Sequence, residues 1–566
     1  MPEVEGAQAP RPQTGRRRSA AQPKGRQVDP SAVDEVRALL GSDPRRRDWL
    51  LEFLHRIQDR YGCLHTRHLA ALAHEMRLAQ TEVFEVASFY AHFSIVREGE
   101  PPLPPVAVHV CDGIACSMAG AEDLVRALAG RLGLGARIVR APCMGGCDRA
   151  PSVSVTTSHT PIEPADADTV LAALNGSYQG RVPTPRRFAE YRAQGGYTLL
   201  ADCLEGRRTP DDVLAALEGS TLRGMGGAGF PTGRKWKLVR SEPAPRYLVV
   251  NADEGEPGTF KDRYYLETDP NRFLEGMLVA AWVVEAVEVH LYLRDEYPQA
   301  RDILLEEISS LEAANLAPPG YIRMHRGAGA YICGEESSML ESIEGKRPLP
   351  RHKPPFPAQV GLFGRPTLIN NIETLYWVVD ILERGVEWWN AQGRQGRQGL
   401  RTYSVSGRVR LPGPKVAPAG ITARELIDEF CGGMAEGHEF KAYLPGGASG
   451  GLLPASMADL PLDFGTLEKH GCFIGSAAVV VLSDKDDLRQ VALNLLRFFR
   501  DESCGQCTPC RVGTEKAVLL LENDPRNHAA FEALTRVMVD ASICGLGQAA
   551  MNPVQSILRH FPEELS

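Results

Sequence analysis

Three cysteines at two-residue intervals, Cys504-Gly505-Gln506-Cys507-Thr508-Pro509-Cys510, constrain this chain more than any other feature. Such a loop turns three thiolates onto three corners of an iron–sulfur cube and leaves the fourth corner to a residue from elsewhere. Cys544, in Ile543-Cys544-Gly545-Leu546-Gly547, is available for it. Zinc is the alternative, although zinc sites usually grip their ion from two separated pairs. Cys111-x4-Cys116 with Cys143-x3-Cys147 forms a second set. Two pairs on separate loops suit a flat [2Fe–2S] rhomb, each pair holding one iron. The spacing differs from the plant-type pattern, so zinc or two thiol pairs stay open for this set.

The chain has thirteen cysteines in 566 residues, and no apolar stretch follows Met1-Pro2-Glu3. An odd count without an export signal predicts a reducing compartment, here the cytoplasm. Cys63, Cys203, Cys333, Cys431 and Cys472 stand alone and are expected to be small buried residues. The best apolar stretch, 277–293, carries Glu285 and Glu288, so no membrane span is predicted. A net charge of −8 argues against a nucleic-acid partner.

Composition and periodicity divide the chain. Residues 1–28 hold Arg11, Arg16, Arg17, Arg18, Lys24 and Arg26 with almost no large apolar residue, which predicts a disordered basic tail. From 29 to 100 the pattern is helical. Asp43-Pro44 reads as an N-cap, with Leu50, Phe53, Leu54, Ile57 and Tyr61 following at helical spacing. Further helices are expected around His65–Met76 and Gln80–Ser88, with His65 and His68 on the helix surface. Strand Val106–Val110, helix Ala121–Leu132 and strand Ala136–Val139 predict a small α/β unit with cysteines at its strand ends. A polar, Pro-containing stretch then reads as a linker. Strand Tyr247–Asn251 and a long helix Arg272–Val287 predict a large α/β unit. Alternation at Tyr403, Val405, Val409 and Leu411 predicts a half-exposed strand, and Thr422 with Glu425 a capping box. Glycines 446–451 read as a loop, and the remainder as helical from Leu488.

Gly224-Met225-Gly226-Gly227-Ala228-Gly229 satisfies the G-x-G-x-x-G pattern, in which bare backbone approaches phosphate oxygens closely. The preceding Leu214–Leu222 reads as helix rather than strand, so an ordinary dinucleotide fold is not supported. Lys235 is placed to neutralise a phosphate. Two acidic segments accompany the loop, Asn251 to Gly258 and Gly327 to Glu336; carboxylates clustered there suit sugar hydroxyls, a divalent metal or plain solvent. Clusters move single electrons and nicotinamide moves a hydride, so two clusters with a nucleotide site call for a flavin between them.

Residues 221–566 resemble the NADH-binding flavoprotein subunit of respiratory complex I. The matching runs are Arg223 to Gly233, Asn251 to Phe260, Gly329 to Glu336, Asn370-Asn371-Ile372-Glu373-Thr374 and Glu502 to Gly513. Residues 30–170 resemble that enzyme's thioredoxin-like [2Fe–2S] subunit, fused in front. The run Pro23 to Pro30 and the overall layout look closest to the β (diaphorase) subunit of molybdenum- or tungsten-dependent NAD-linked formate dehydrogenases.

The resemblance implies a multidomain α/β chain. After the tail (1–28) and helical segment (29–100) come a thioredoxin-like [2Fe–2S] domain (104–178), a linker (179–204) and a Rossmann-like FMN and NAD domain (205–397). A ubiquitin-like, SLBB-type α+β domain (398–484) and a helical bundle holding the [4Fe–4S] centre (485–566) complete it. The [2Fe–2S] ligands would be Cys111, Cys116, Cys143 and Cys147, and the [4Fe–4S] ligands Cys504, Cys507, Cys510 and Cys544. FMN would meet Gly224, Gly226, Lys235, Asn251, Asp253, Glu254, Tyr331, Gly334, Glu335, Asn370, Asn371 and Thr374. The nicotinamide nucleotide would meet Phe230, Glu256, Glu336, Lys353 and Phe356. Leu238 departs from the pattern, standing where the family often has an aromatic ring beside the adenine. No side chain is assigned a general acid or base role, since hydride transfer belongs to FMN. The implied partner is a catalytic α subunit with a molybdenum or tungsten pterin cofactor and further iron–sulfur clusters. A hydrogenase or quinone-reducing partner, and a zinc-stabilised assembly scaffold, are the competing readings.

Overall fold

Four parallel strands, Arg246–Ala252, Ala286–Leu293, Ile322–Arg326 and Thr367–Asn371, fix where a ligand can sit. In the computed structural model, which describes residues 27–133, 135–156 and 161–565, they lie in the order third, second, first, fourth. The first strand therefore has neighbours reached in opposite directions. A crevice opens at the carboxyl ends of such strands, and ligands of open α/β sheets occupy it.

Both faces of this sheet are buried, and the strand residues alternate between two cores. Leu248, Val250 and Leu291 join a core built with helices Pro270–Val283 and Ile372–Arg384. Val249, Tyr292 and Ile369 join a second core with Phe53, Leu54 and Ile57 of the N-terminal helices. Those helices, Pro30–Leu40, Leu50–Tyr61, Thr66–Met76 and Gln80–Phe89, thus form the other layer over the four-stranded sheet. Asp29 caps the first of them by accepting from Ser31 N at 3.0 Å.

The cysteine-bearing α/β unit has three strands, Ala136–Ala141, Val106–Cys111 and Val153–Val155, in that spatial order. A five-stranded sheet orders Gly413–Pro418, Leu400–Gly407, Ala478–Ser483, Phe440–Leu444 and Leu453–Pro454. The helices Leu488–Asp501, Thr508–Asn523, His528–Ala541 and Asn552–His560 close around Leu495, Phe499 and Phe531. Among the described residues no helix is long and apolar enough to cross a membrane.

Several expectations change. Asp43-Pro44 caps no helix: the helix starts at Leu50, and Asp43 instead accepts from Arg56 at 2.5 Å. The long helix ends at Val283, and 286–293 is the second strand of the central sheet. Apolar residues run from Met277 to Val284 and resume in the strand at Val289, so the join carried little change of period. In the stretch read as a linker, Tyr191 on one helix, Leu199, Leu200 and Cys203 on the next, and Tyr197 just before it are buried in the first core. His68 is wholly buried, 2.7 Å from Glu35, rather than on a helix surface. Strand Leu400–Gly407 is buried on both faces, because its polar side meets the flavin unit: Thr402 N donates to Glu373 at 2.7 Å and Ser404 Oγ accepts from Phe260 N at 3.0 Å. The basic tail reading, apart from its last two residues, falls outside the described residues.

Candidate functional site

The carboxyl ends of the strands carry the residues assigned to the flavin. Asn251 is the penultimate residue of the first strand, and its Nδ2 donates to the Gly334 carbonyl at 2.9 Å. Its Oδ1 accepts from Asp253 N at 3.1 Å, turning the chain so that the Asp253 carboxyl points inward. Asp253 Oδ2 is buried and has no hydrogen-bond partner, and burial holds this carboxyl well above the usual carboxylate range. A buried acceptor without a donor is what a sugar or ribityl hydroxyl would satisfy.

From the other side of the crevice come Asn370 and Asn371, ending the fourth strand. Asn370 accepts from Trp236 Nε1 at 2.8 Å. Asn371 caps the following helix through Glu373 N at 3.1 Å and donates to Asp262 at 2.5 Å. Thr374 Oγ1 accepts from Met225 N at 2.9 Å, drawing the glycine loop against this strand end. A Cβ on Gly226 would lie 3.3 Å from Asn371 Cβ, and one on Gly229, at φ +64°, would meet the Phe464 ring at 2.6 Å. The loop enters from helix Pro210–Gly219, as its sequence foretold, and runs into helix Thr232–Ser241, which carries Lys235.

Lys235, Glu335, Glu336 and Lys353 form one charged group at the rim. Lys353 Nζ lies 2.7 Å from Glu336 and 2.9 Å from Glu335, and Lys235 lies 3.8 Å from Glu336. Burial pushes the Lys235 ammonium down, which an anionic phosphate would offset. Glu335 also accepts from Ser337 N and Ser338 N, both at 2.9 Å, capping the helix that starts at Glu336. Phe230 and Phe356 stand 41% and 53% exposed, unusual for large aromatic residues and suited to stacking on a planar ring. Leu238, 46% exposed, offers only an aliphatic surface.

Not every assigned side chain faces this space. Glu254 is engaged within the protein: it accepts from Asp262 N at 2.9 Å, Arg263 N at 3.2 Å and Tyr297 OH at 3.0 Å. Burial, with Asp262 nearby, pushes it up to about 8. Its carboxylate caps helix Lys261–Thr268, so any contact it offers a flavin is through backbone. Glu256 is half-buried and accepts from the amide and hydroxyl of Ser449, in the 446–451 glycine loop. A Cβ on Gly447 would meet Glu256 at 3.0 Å, so that loop is pressed onto the site.

The two cysteine sets flank the same crevice. Cys111, Cys116, Cys143 and Cys147 are all buried, and the sulfurs of the last two are 3.4 Å apart. Cys504 and Cys510 are buried, while Cys507 and Cys544 are partly so. Among the described residues, only His55, His92 and Asp295 bring three ligand atoms within 4.8 Å of one another. Zinc–sulfur bonds of about 2.3 Å would draw four thiolates closer than that around one ion. Neither set brings three sulfurs within 4.8 Å of one another, although Cys143 and Cys147 form a close pair.

Each set is wired to the flavin segments. Arg294, the first residue beyond the second strand, donates to the Cys143 carbonyl and to the Glu254 carbonyl. On the opposite side Glu502 accepts from Tyr331 N at 2.8 Å, and the Tyr331 ring packs on Phe498 at 5.0 Å. Arg347 donates to the Cys504 carbonyl at 2.9 Å. Sequence reasoning missed Arg294, Ser449, and the buried group of Lys261, Asp262 and Glu373. Recognising 286–293 as a strand would have marked Arg294, since strand ends carry the ligands.

The comparisons agree with this geometry. Residues 217–380 match the family model of the Nuo51 FMN-binding domain. Residues 490–566 match the NADH-ubiquinone oxidoreductase-F iron–sulfur binding region, and 36–175 the thioredoxin-like [2Fe–2S] ferredoxin. An NADH-quinone oxidoreductase subunit of Rhizobium meliloti (strain 1021) is 42% identical over 398 residues, spanning 68% of this chain and 94% of that protein. The chain belongs to the complex I NADH-binding flavoprotein family. Its cofactors are accordingly FMN, a [4Fe–4S] and a [2Fe–2S] centre, and NADH is the family's substrate. The corresponding NADH-quinone oxidoreductase protein of Escherichia coli (strain K12) is 39% identical over 392 residues, covering 66% of this chain and 88% of that one. A solved NAD+-reducing [NiFe]-hydrogenase chain, in the H2-reduced state, superposes with a TM-score of 0.78 at 31% identity, covering 92% of each chain. That match includes the fused N-terminal part, which the two oxidoreductase relatives lack the length to cover.

Proposed function

We propose that this chain is the NAD-linked diaphorase subunit of a soluble formate dehydrogenase, working with a catalytic subunit that carries a molybdenum or tungsten pterin cofactor and further clusters. The observation that carries the diaphorase reading is the pair of links just described, Arg294 from Cys143 to Glu254 and Glu502 to Tyr331. Both cysteine sets touch the segments that frame one crevice, an arrangement for passing electrons rather than for holding subunits together.

In this reading Cys111, Cys116, Cys143 and Cys147 hold the [2Fe–2S] centre, and Cys504, Cys507, Cys510 and Cys544 the [4Fe–4S] centre. Asp253 accepts from a ribityl hydroxyl, Lys235 offsets phosphate charge, and the glycine loop lets backbone amides approach it. FMN, when bound, supplies the conversion between hydride and single electrons. Phe230 and Phe356 hold the nicotinamide nucleotide by stacking, and Glu256, Glu336 and Lys353 orient it by hydrogen bonds. Position, not proton transfer, is what the protein contributes.

The formate assignment rests on the run Pro23 to Pro30 and on the fused layout. A second reading, the diaphorase subunit of an NAD-reducing hydrogenase, is favoured by the superposition over 92% of both chains. Metal analysis of the co-purified complex separates them: molybdenum or tungsten supports formate, and nickel overturns it. NADH-driven reduction of an artificial acceptor by the isolated, FMN-loaded chain tests the diaphorase reading itself. No turnover would defeat it, and zinc without flavin or iron absorption would establish the scaffold reading instead.

A further inference from the structure

We propose that Arg294 raises the redox potential of the [2Fe–2S] centre while holding its Cys143 loop against the flavin segment. This rests on the reading that Cys111, Cys116, Cys143 and Cys147 hold that cluster.

Arg294 is 4% exposed. Its two terminal nitrogens donate to carbonyls on different loops, Nη1 to Glu254 and Nη2 to Cys143. The Tyr297 ring lies 5.0 Å from its guanidinium carbon, closing one face. Glu296 is its single carboxylate partner, held at two points, 3.1 Å from Nη2 and 3.2 Å from Nε. The neighbouring Arg263 is more fully compensated, 2.7 Å from Glu267 and 3.3 Å from Glu163. Arg294 is therefore the less neutralised of the two cations at this junction, and it is bonded to a cluster ligand's own carbonyl. The same junction leaves no slack: a Cβ on Gly145 would meet the Tyr297 hydroxyl at 2.4 Å.

Reduction of the centre adds one electron, supplied by NADH oxidation, and one unit of negative charge. No bond to Arg294 forms or breaks. A buried cation close to that charge favours the reduced state, and burial keeps the interaction from being screened. Glu296 opposes it. The two residues consequently have opposite signs of effect on one quantity, which a merely structural role for Arg294 would not produce.

The test is an EPR-monitored redox titration of the full complex with the wild-type chain, Arg294→Met, Arg294→Lys and Glu296→Gln. Arg294→Met is expected to shift the one-electron equilibrium toward the oxidised centre on the order of tenfold, ~59 mV more negative. Arg294→Lys keeps most of the wild-type value, and Glu296→Gln moves it to more positive potential. The [4Fe–4S] midpoint, whose loop is bound by Arg347 instead, stays in place. An unmoved [2Fe–2S] midpoint, or shifts of one sign in both Arg294→Met and Glu296→Gln, overturns the proposal. If Arg294→Met fails to retain its cluster, Arg294→Lys and Glu296→Gln decide. A wild-type chain with flavin but no [2Fe–2S] signal would overturn the ligand reading, and this proposal with it.

Discussion

Asn251 and Gly334 are joined by a 2.9 Å hydrogen bond that fastens the end of the first sheet strand to the turn introducing Glu335. The contact is close on both sides, because a Cβ at 334 would lie 3.1 Å from the Asp253 carbonyl. Gly334→Ala must displace one of the two segments that frame the flavin crevice. We expect the FMN content per chain to fall by more than half while iron content stays at the wild-type value. Flavin released by acid, measured beside total iron, checks this. Full occupancy would show that the crevice tolerates the shift and that FMN is held elsewhere.

Glu256 makes its side-chain bonds to Ser449, outside the flavin sheet. Burial pushes its carboxyl up, so a donor arriving with the nicotinamide nucleotide meets a group poised to gain from a hydrogen bond. Glu256→Ala removes that acceptor. Hydrogen bonds to such groups contribute about 1.5–3 kcal/mol, which corresponds to a KM for NADH raised roughly ten- to hundred-fold. FMN should stay bound. Steady-state kinetics with ferricyanide, alongside flavin content, separates the two effects; loss of flavin would show Glu256 misassigned.

The cysteine sets could be proposed from the sequence because ligand spacing is local: seven residues carry three of the four thiolates proposed for one cluster, whatever surrounds them. The glycine loop and Asn251 to Asp253 were legible for the same reason. What escaped was long-range. Arg294 lay hidden because helix Pro270–Val283 is buried over most of its surface and strand Ala286–Leu293 over its last five residues, and little change of period separates them. Strand Leu400–Gly407 was read as half-exposed because Thr402 and Ser404 are polar, yet their faces meet Glu373 and Phe260 rather than water. Alternation reports polarity, and it does not distinguish solvent from a polar seam between two units. Glu254 looked like a flavin contact from its place in the acidic run, but a helix N-terminus claims its carboxylate.

Lys261 occupies one such seam. It is buried, 2.8 Å from Asp262 and 3.1 Å from Glu373, and Asp262 in turn accepts from Asn371. Lys261→Met leaves two buried carboxylates without their cation, a change that costs about 3–5 kcal/mol. We expect hydrogen-exchange protection to fall in strand Thr367–Asn371 and FMN to be lost with it. Adding Glu373→Gln removes one of the stranded charges and should recover part of the protection. Additive losses in the double variant would show that the pair does not interact.

We expect His55 to make the N-terminal layer sensitive to acid. It lies on helix Leu50–Tyr61, and its Nε2 meets the Gly327 carbonyl at 2.8 Å, beyond the third sheet strand. Burial pushes this imidazole down to about 3; Asp295 and Asp59 pull the other way, while Arg326 and His92 add to the depression. A histidine with a folded-state value below its unfolded one, near 6.5, binds its proton more readily when unfolded. Its effect on stability is therefore absent above pH 6.5 and grows as pH falls toward 3, by about 1.4 kcal/mol per unit. Other groups titrate in the same range, so the comparison is with His55→Gln, whose amide still donates to the Gly327 carbonyl. Between pH 6.5 and 5, amide protection in residues 50–61, corrected for intrinsic exchange, should decline faster in the wild-type chain than in the variant. Parallel curves would mean that His55 accepts its proton without opening the layer.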